Sequence, residues 1–226
     1  MAITAVSDID TAVLDFYQKN TPVTIETKDL ILRPVQESDL GFFQTVYTDP
    51  VTMKLFMDHE KRLENSPATW QEEQMKSAAG RVKTFVERWT TKNPFSGFII
   101  CKKVEKDHVP IGFIVPGLGD NKGQVEMAFV ILNAEQRKGF GTQAVHAIVH
   151  KYLPSLIANH DKLYGSPLLV EDNPIKEVVA TARVDNPASI CVMEKAGMKK
   201  IGENFNKWGQ LRGIYGYTYE NLPIKI

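Results

Sequence analysis

The stretch that most constrains this chain is "VEMAFVILNAEQRKGFGTQAVHAIVHKY", Val125 to Tyr152. An apolar run of strand type stops at a turn carrying Arg137, Lys138, Gly139 and Gly141, and an amphipathic helix begins at once. The first turn of a helix leaves backbone N–H groups without carbonyl partners at the positive end of the dipole. Glycines there let an oxyanion approach closely, so the pattern reads as an anion cradle with cations at its rim. The competing reading is a solvated turn whose glycines serve geometry alone. Gly139, Gly141 and Ala144 also satisfy the loose dinucleotide fingerprint G-x-G-x-x-G/A, with Asp161 about 20 residues on. The context argues against it, because the turn follows a meander and "ANHDKLYG" reads as loop rather than strand end. The Gly-Lys-Ser/Thr of a nucleotide P-loop is missing.

Around this stretch the order is strand, helices, three strands, helix, strand, helix and two strands, a mixed α/β sheet covered on both faces. "SDIDTAVLDFYQK" has the spacing of a short amphipathic helix, and "VTIETKDLILRPV" alternates as one half-buried strand. A long helix is expected from Ser66 as N-cap, with Pro67 at its first position, to about Thr91; Trp70, Phe85 and Trp89 line an acceptor groove or simply bury it. "FSGFIICKKV", "VPIGFIVPG" and "QVEMAFVIL" form the meander. "IANHDKLYGSPLLVEDNPIK" reads as loop, "EVVATARV" as strand, "NPASICVMEKAG" as a capped helix and the tail as a hairpin.

The 226 residues fit a single domain, with 1–22 a helical appendage, 23–226 the core and about 58–95 a helical insertion. Lys and Arg together number 27, as do Asp and Glu, so no global field draws the chain to nucleic acid or an anionic membrane. No apolar run approaches the about 18 residues of a membrane span, and the two cysteines, Cys101 and Cys191, lie in apolar segments as packed, reduced thiols. The expectation is a cytoplasmic protein, monomeric or homodimeric, and neither nucleic acid nor membrane is a partner.

Gln136-Arg137-Lys138-Gly139-Phe140-Gly141 resembles in full the acyl-coenzyme A pyrophosphate motif of the GNAT acetyltransferases, Q/R-x-x-G-x-G/A. Within that superfamily the chain looks most like the RimJ/RimL-type N-acetyltransferases, since "VDNPASICVMEKAGMKKIGE" places Asn186, Ser189, Lys195 and Gly197 in their second signature. The likeness spans about Lys28 to Tyr219. It implies a GNAT fold, with a central, mostly antiparallel sheet and helices on both faces. It also implies acetyl-CoA as cosubstrate, with direct transfer to the primary amine of a small molecule or a protein N-terminus. Gln143 stands where the family often has glutamate, and "LNAE" where it often has proline.

The resemblance also assigns roles. Unpaired backbone groups at Phe129, Val130 and Ile131 would meet the pantetheine arm, and Gln136 to Thr142 the pyrophosphate. Asn186 would cap its helix and reach the pantetheine amides. Glu126 is the candidate base; alternation alone leaves it equally a solvent-facing strand residue. Ser189 is the candidate donor to the leaving thiolate, against a structural place in a first helical turn. His146 and His150 share a helix face, yet without HExxH or a third ligand no metal site is expected. Cys191, beside Ile190, Val192 and Met193, is expected in the core. The rival to an enzyme is a catalytically silent acyl-CoA sensor or scaffold.

Overall fold

A computed structural model describes residues 9–56, 59–65, 68–105, 107–206 and 209–219. Helix α1 (Ile9–Lys19) precedes β1 (Ile25–Glu26) and β2 (Leu30–Pro34), which pair antiparallel. One continuous strand is expected here, but the chain folds back at Thr27, whose Oγ1 accepts the Leu30 N–H at 3.0 Å. Helices α2 (Leu40–Thr48), α3 (Pro50–Met53), α4 (His59–Asn65) and α5 (Trp70–Thr90) follow. The expected start of the long helix, Ser66 and Pro67, lies outside the described residues; α5 begins at Trp70 behind Thr69 and runs unbroken through Gly80.

Strands β3 (Phe98–Val104), β4 (Asp107–Leu118) and β5 (Gln124–Ile131) form the expected meander. After it come α6 (Phe140–Ala147), a π-helical stretch at Ile148–Tyr152, and α7 (Leu153–Tyr164). The loop expected from Ile157 is therefore helix as far as Tyr164, where Gly165 at φ +62° ends it. Pro154 stands at the start of α7. A proline ring crowds the carbonyl four residues back, and the wider π turn just before it relieves that contact. The short pair β6 (Leu169–Val170) and β7 (Asn173–Pro174) leads to β8 (Glu177–Arg183), α8 (Pro187–Lys195), β9 (Lys199–Phe205) and β10 (Leu211–Thr218).

The main sheet has eight strands in the order β1-β2-β3-β4-β5-β8-β10-β9. Its pairs are antiparallel except β5 with β8, which run parallel. Alternation along the strands sends Leu30, Leu32, Val125 and Met127 into a core shared with α1, α6 and α7, and Ile31, Ile99, Phe113 and Val130 into a second core under α2 and α5. Trp70, Phe85 and Trp89 are buried. No described helix is long and apolar enough to cross a membrane.

Candidate active site

Pairing between β5 and β8 covers Gln124 to Glu126 against Glu177 to Val179 and stops there. Beyond that point the neighbouring strands hold each of the two: β5 stays paired to β4 up to Ile131, and β8 to β10 up to Arg183. The parallel pair therefore splays into a V whose open end lies at the C-terminal ends of both strands.

Leu132 donates its N–H to Ile111 O at 2.8 Å. Antiparallel alternation then turns Val130, paired with Phe113, toward β4, and turns the peptide groups of Phe129 and Ile131 into the gap. The Val130 carbonyl indeed lies against β4, 2.1 Å from where a Cβ on Gly112 would sit. Gln136 Nε2 donates to Ile131 O at 3.0 Å. Of the three residues expected to offer backbone groups, Val130 therefore does not, and Ile131 offers its N–H alone.

The glycine turn closes this end of β5. Gly139 stands before the first turn of α6 at φ +81°, with nothing within 4 Å of where a Cβ would sit. A left-handed backbone facing open space suits glycine and an approaching anion alike. The first N–H bonded inside the helix is that of Gln143, to Gly139 O at 3.1 Å, so helix geometry directs those of Phe140, Gly141 and Thr142 outward. Arg137, at φ +62°, and Lys138 are both exposed. Lys138 is tied to Glu135 Oε2 at 2.9 Å, and Glu135 also holds Lys102 at 2.8 Å. At Gly141 a Cβ would come 3.2 Å from Val192 Cγ2, so this glycine lets α6 pack closely on α8. Gln143, in sequence terms only a departure from the family pattern, joins α6 to the β1–β2 turn: its Oε1 accepts from Thr27 Oγ1 at 2.9 Å and its Nε2 donates to Asp29 Oδ2 at 2.8 Å.

On the β8 arm, Asn186 caps α8 by accepting the Ser189 N–H at 3.2 Å. Ser189 is half-buried in that first turn. Glu126 sits at the crook of the V, half-buried, in register with Val179. Burial pushes its carboxyl above the ordinary range; Asp120 adds to the rise and Arg212 opposes it. Register puts Glu126, Val179, Thr181 and Arg183 on one face of the sheet, the face covered by α3 and α5 rather than by α6. Arg212 shares that face and donates to Thr181 Oγ1 at 2.9 Å.

Other candidates fall outside this gap. His150 Nε2 lies 2.7 Å from Ala196 O and its ring 4.4 Å from that of His146. No described group of three or more His, Cys, Asp or Glu could hold a metal ion. Cys191, expected in the core, is exposed, because Met193 is the residue that α8 buries. Asp161 lies within α7 and not at a strand end, away from where a ribose-binding acid belongs.

The family model described as acetyltransferase (GNAT) domain matches residues 29–199. No curated protein matches the sequence. Among solved structures, a GNAT-family acetyltransferase from Bacillus anthracis aligns at 17% identity and TM-score 0.60 over 88% of this chain and 99% of its own. Ribosomal-protein-S5-alanine acetyltransferase from Vibrio fischeri aligns at 14% identity and 0.59, over 88% and 98%. RimJ from Mycobacterium smegmatis, solved with CoA-disulfide, aligns at 14% and 0.59, over 90% and 88%. At these identities the likeness is one of fold, and it agrees with the family match over most of the length. The chain belongs to the GNAT acetyltransferase family.

Proposed function

We propose that this is an acetyl-CoA-dependent N-acetyltransferase of the RimJ/RimL type, built as one domain over residues 1–226. The observation that carries the reading is the V itself: parallel pairing that ends at Glu126 and Val179, with the glycine turn at its open end. Residues present fit the cosubstrate, since Gly139 faces open space and the first-turn N–H groups of α6 point outward beside Arg137. Gln136, Lys138, Phe140, Gly141 and Thr142 complete that cradle, Gln136 by pinning the turn to β5. Asn186 holds α8 alongside. Two free cysteines suit a reducing compartment such as the cytoplasm.

Acetyl-CoA supplies an activated thioester. The Phe129 N–H, turned into the gap, is the donor for the acyl carbonyl. An attacking amine must be neutral, and an α-amine of pKa about 7.7 to 8 loses its proton more readily than a lysine near about 10.4. The raised pKa of Glu126 brings it closer to such an amine, and it takes the proton directly or through water. As the C–N bond forms and the C–S bond breaks, Ser189 offers its hydroxyl to the leaving sulfur. The acceptor is an amine-bearing small molecule or a protein N-terminus.

The test is calorimetric titration with acetyl-CoA, followed by a thiol-release assay across amines. Binding with turnover of an amine supports the reading. No binding overturns it, and binding without turnover of any amine leaves a silent acyl-CoA sensor.

A further inference from the structure

On the face that carries Glu126, a long-range ion pair also joins the two arms of the V across their open end. Arg183 Nη1 on β8 lies 2.6 Å from Glu60 Oε2 on α4. Helix α4 packs on α3, and α3 is bound to the end of β5, where Thr52 Oγ1 accepts the Asn133 N–H at 3.0 Å. Glu60 therefore belongs to the β5 arm and Arg183 to the β8 arm. The contact spans the mouth on the face that carries Glu126.

Arg183 is half-buried, its side chain 11% exposed. Its Nε and Nη2 form a fork onto Asp185, at 2.8 and 2.5 Å, two residues along the chain. That local pair stays whatever α4 does. Glu60 is the displaceable partner. It sits on a seven-residue helix and has a longer contact with Lys54 Nζ at 3.8 Å. An acceptor that enters between the arms on this face parts the Arg183–Glu60 contact. Parting it leaves a half-buried, charged N–H donor short of a partner unless the newcomer brings an anionic oxygen of its own.

The spacing suits such a newcomer. Glu126 is level with Val179, and the four residues from there to Arg183 span about 13 Å of strand. Both side chains lie on one face and bound that interval, so an acceptor that offers an amine at one end and a carboxylate at the other covers it. We propose that Arg183 is a specificity-determining residue for the acceptor: Nη1 receives a carboxylate that the acceptor carries near its amine, in place of Glu60. The inference rests on the acetyl-transfer reading above.

The experiment uses acceptors that differ in carboxylate against carboxamide: the dipeptide amides Ala-Asp and Ala-Asn, and 4-aminobutyrate with its amide. Each is assayed with acetyl-CoA alongside simple amines, and titrated by calorimetry into the protein loaded with coenzyme A. The expected result is a KM and a Kd lower for the acid than for the amide by about 10-fold, the scale of a charge-assisted hydrogen bond. Arg183→Gln should collapse that ratio toward one, Arg183→Lys should keep part of it, and Glu60→Gln should lower KM for the acid by removing its competitor. Equal constants for acid and amide in the native enzyme, a preference for the amide or for simple amines, or a Glu60→Gln variant that raises KM for the acid would each overturn this assignment alone. Should Arg183→Gln fail to fold, the Glu60→Gln result decides. No turnover of any amine would overturn the transfer reading and this assignment with it.

Discussion

On the α6–α8 face of the gap the groups that would meet a ligand are largely backbone, from Phe129 and Ile131 and the turn Gln136 to Thr142, with Asn186 beside them. On the α3–α4 face they are side chains drawn from distant segments: Glu60, Glu126, Arg183 and Arg212, with the paired Glu60 and Arg183 standing 123 positions apart in the chain. A backbone cradle tolerates many substitutions as long as the turn survives. A side-chain constellation can be rewritten one residue at a time. In a family that keeps its acyl donor and varies its acceptor, the first face is the one to hold constant and the second the one to change.

The largest effect expected from this contrast is at Gly139. A Gly139→Glu substitution puts a carboxylate where an anion is to be received and forces a side chain onto a left-handed backbone at φ +81°. Acetyl-CoA affinity should fall by about 100-fold or more, two like charges at a few ångströms in a helix N-terminal site being strongly disfavoured. Calorimetry measures it, and the melting temperature of the free protein separates lost binding from lost fold. Binding that survives would break the contrast, since the cradle would then not lie at this turn.

Next in size is Glu126. Glu126→Gln should lower turnover by about 100-fold, the lower end of general base catalysis, while acetyl-CoA affinity persists. In the native enzyme the rate should climb with pH as the carboxylate forms, above the ordinary carboxylate range because burial and Asp120 hold the proton on. The stability sign follows from the same shift. The folded state keeps its proton to higher pH than the unfolded chain, so stability falls as pH rises from the ordinary carboxylate value through the raised one. Urea unfolding from about pH 4 to 8 should show that fall in the native protein and less of it in Glu126→Gln.

The same contrast explains what can be read from the sequence without the fold. The cradle is legible because its parts are adjacent in the chain: strand, glycine turn, helix, and then a cap and glycine at Asn186 and Gly197. The meander is legible from alternation. The partition of backbone groups between Phe129 and Val130 is not, because it depends on which residues of β5 bond to β4, and that is set by strand register. The helix from Leu153 to Tyr164 escapes a sequence reading although Leu153, Leu156, Ile157 and Leu163 keep helical spacing and Gly165 marks its end. Pro154 and the polar run "ANHDK" conceal it. The Arg183–Glu60 contact leaves no local trace at all.

Gln143 offers a smaller effect that sharpens the cradle side. Its amide bonds Thr27 Oγ1, Asp29 N and Asp29 Oδ2, fixing α6 to the β1–β2 turn. Gln143→Ala should cost about 1 to 2 kcal/mol in urea unfolding, the range for hydrogen bonds lost from a partly buried amide. A Gln143→Glu variant keeps the acceptor but sets a carboxylate against Asp29, and should be less stable than Gln143→Ala if that contact matters.

The smallest effect separates the two faces by their thiols. Cys101 is fully buried under the α2–α5 layer, and burial pushes its thiol pKa up against the opposing charge of Arg33. Cys191 is exposed on α8, beside the cradle. An accessible, ionised cysteine attacks a chromogenic disulfide reagent, so the native protein should release about one equivalent of colour quickly and the second only in denaturant. Cys191→Ser should abolish the fast phase and change stability by less than about 0.5 kcal/mol, as surface substitutions do. Two fast thiols in the native state would mean that the α2–α5 layer opens readily, and that the acceptor face is less firmly built than its buried aromatic core implies. One fast thiol that survives Cys191→Ser would assign the exposed sulfur to the wrong face, and with it the packing of α8 through Met193 against the sheet.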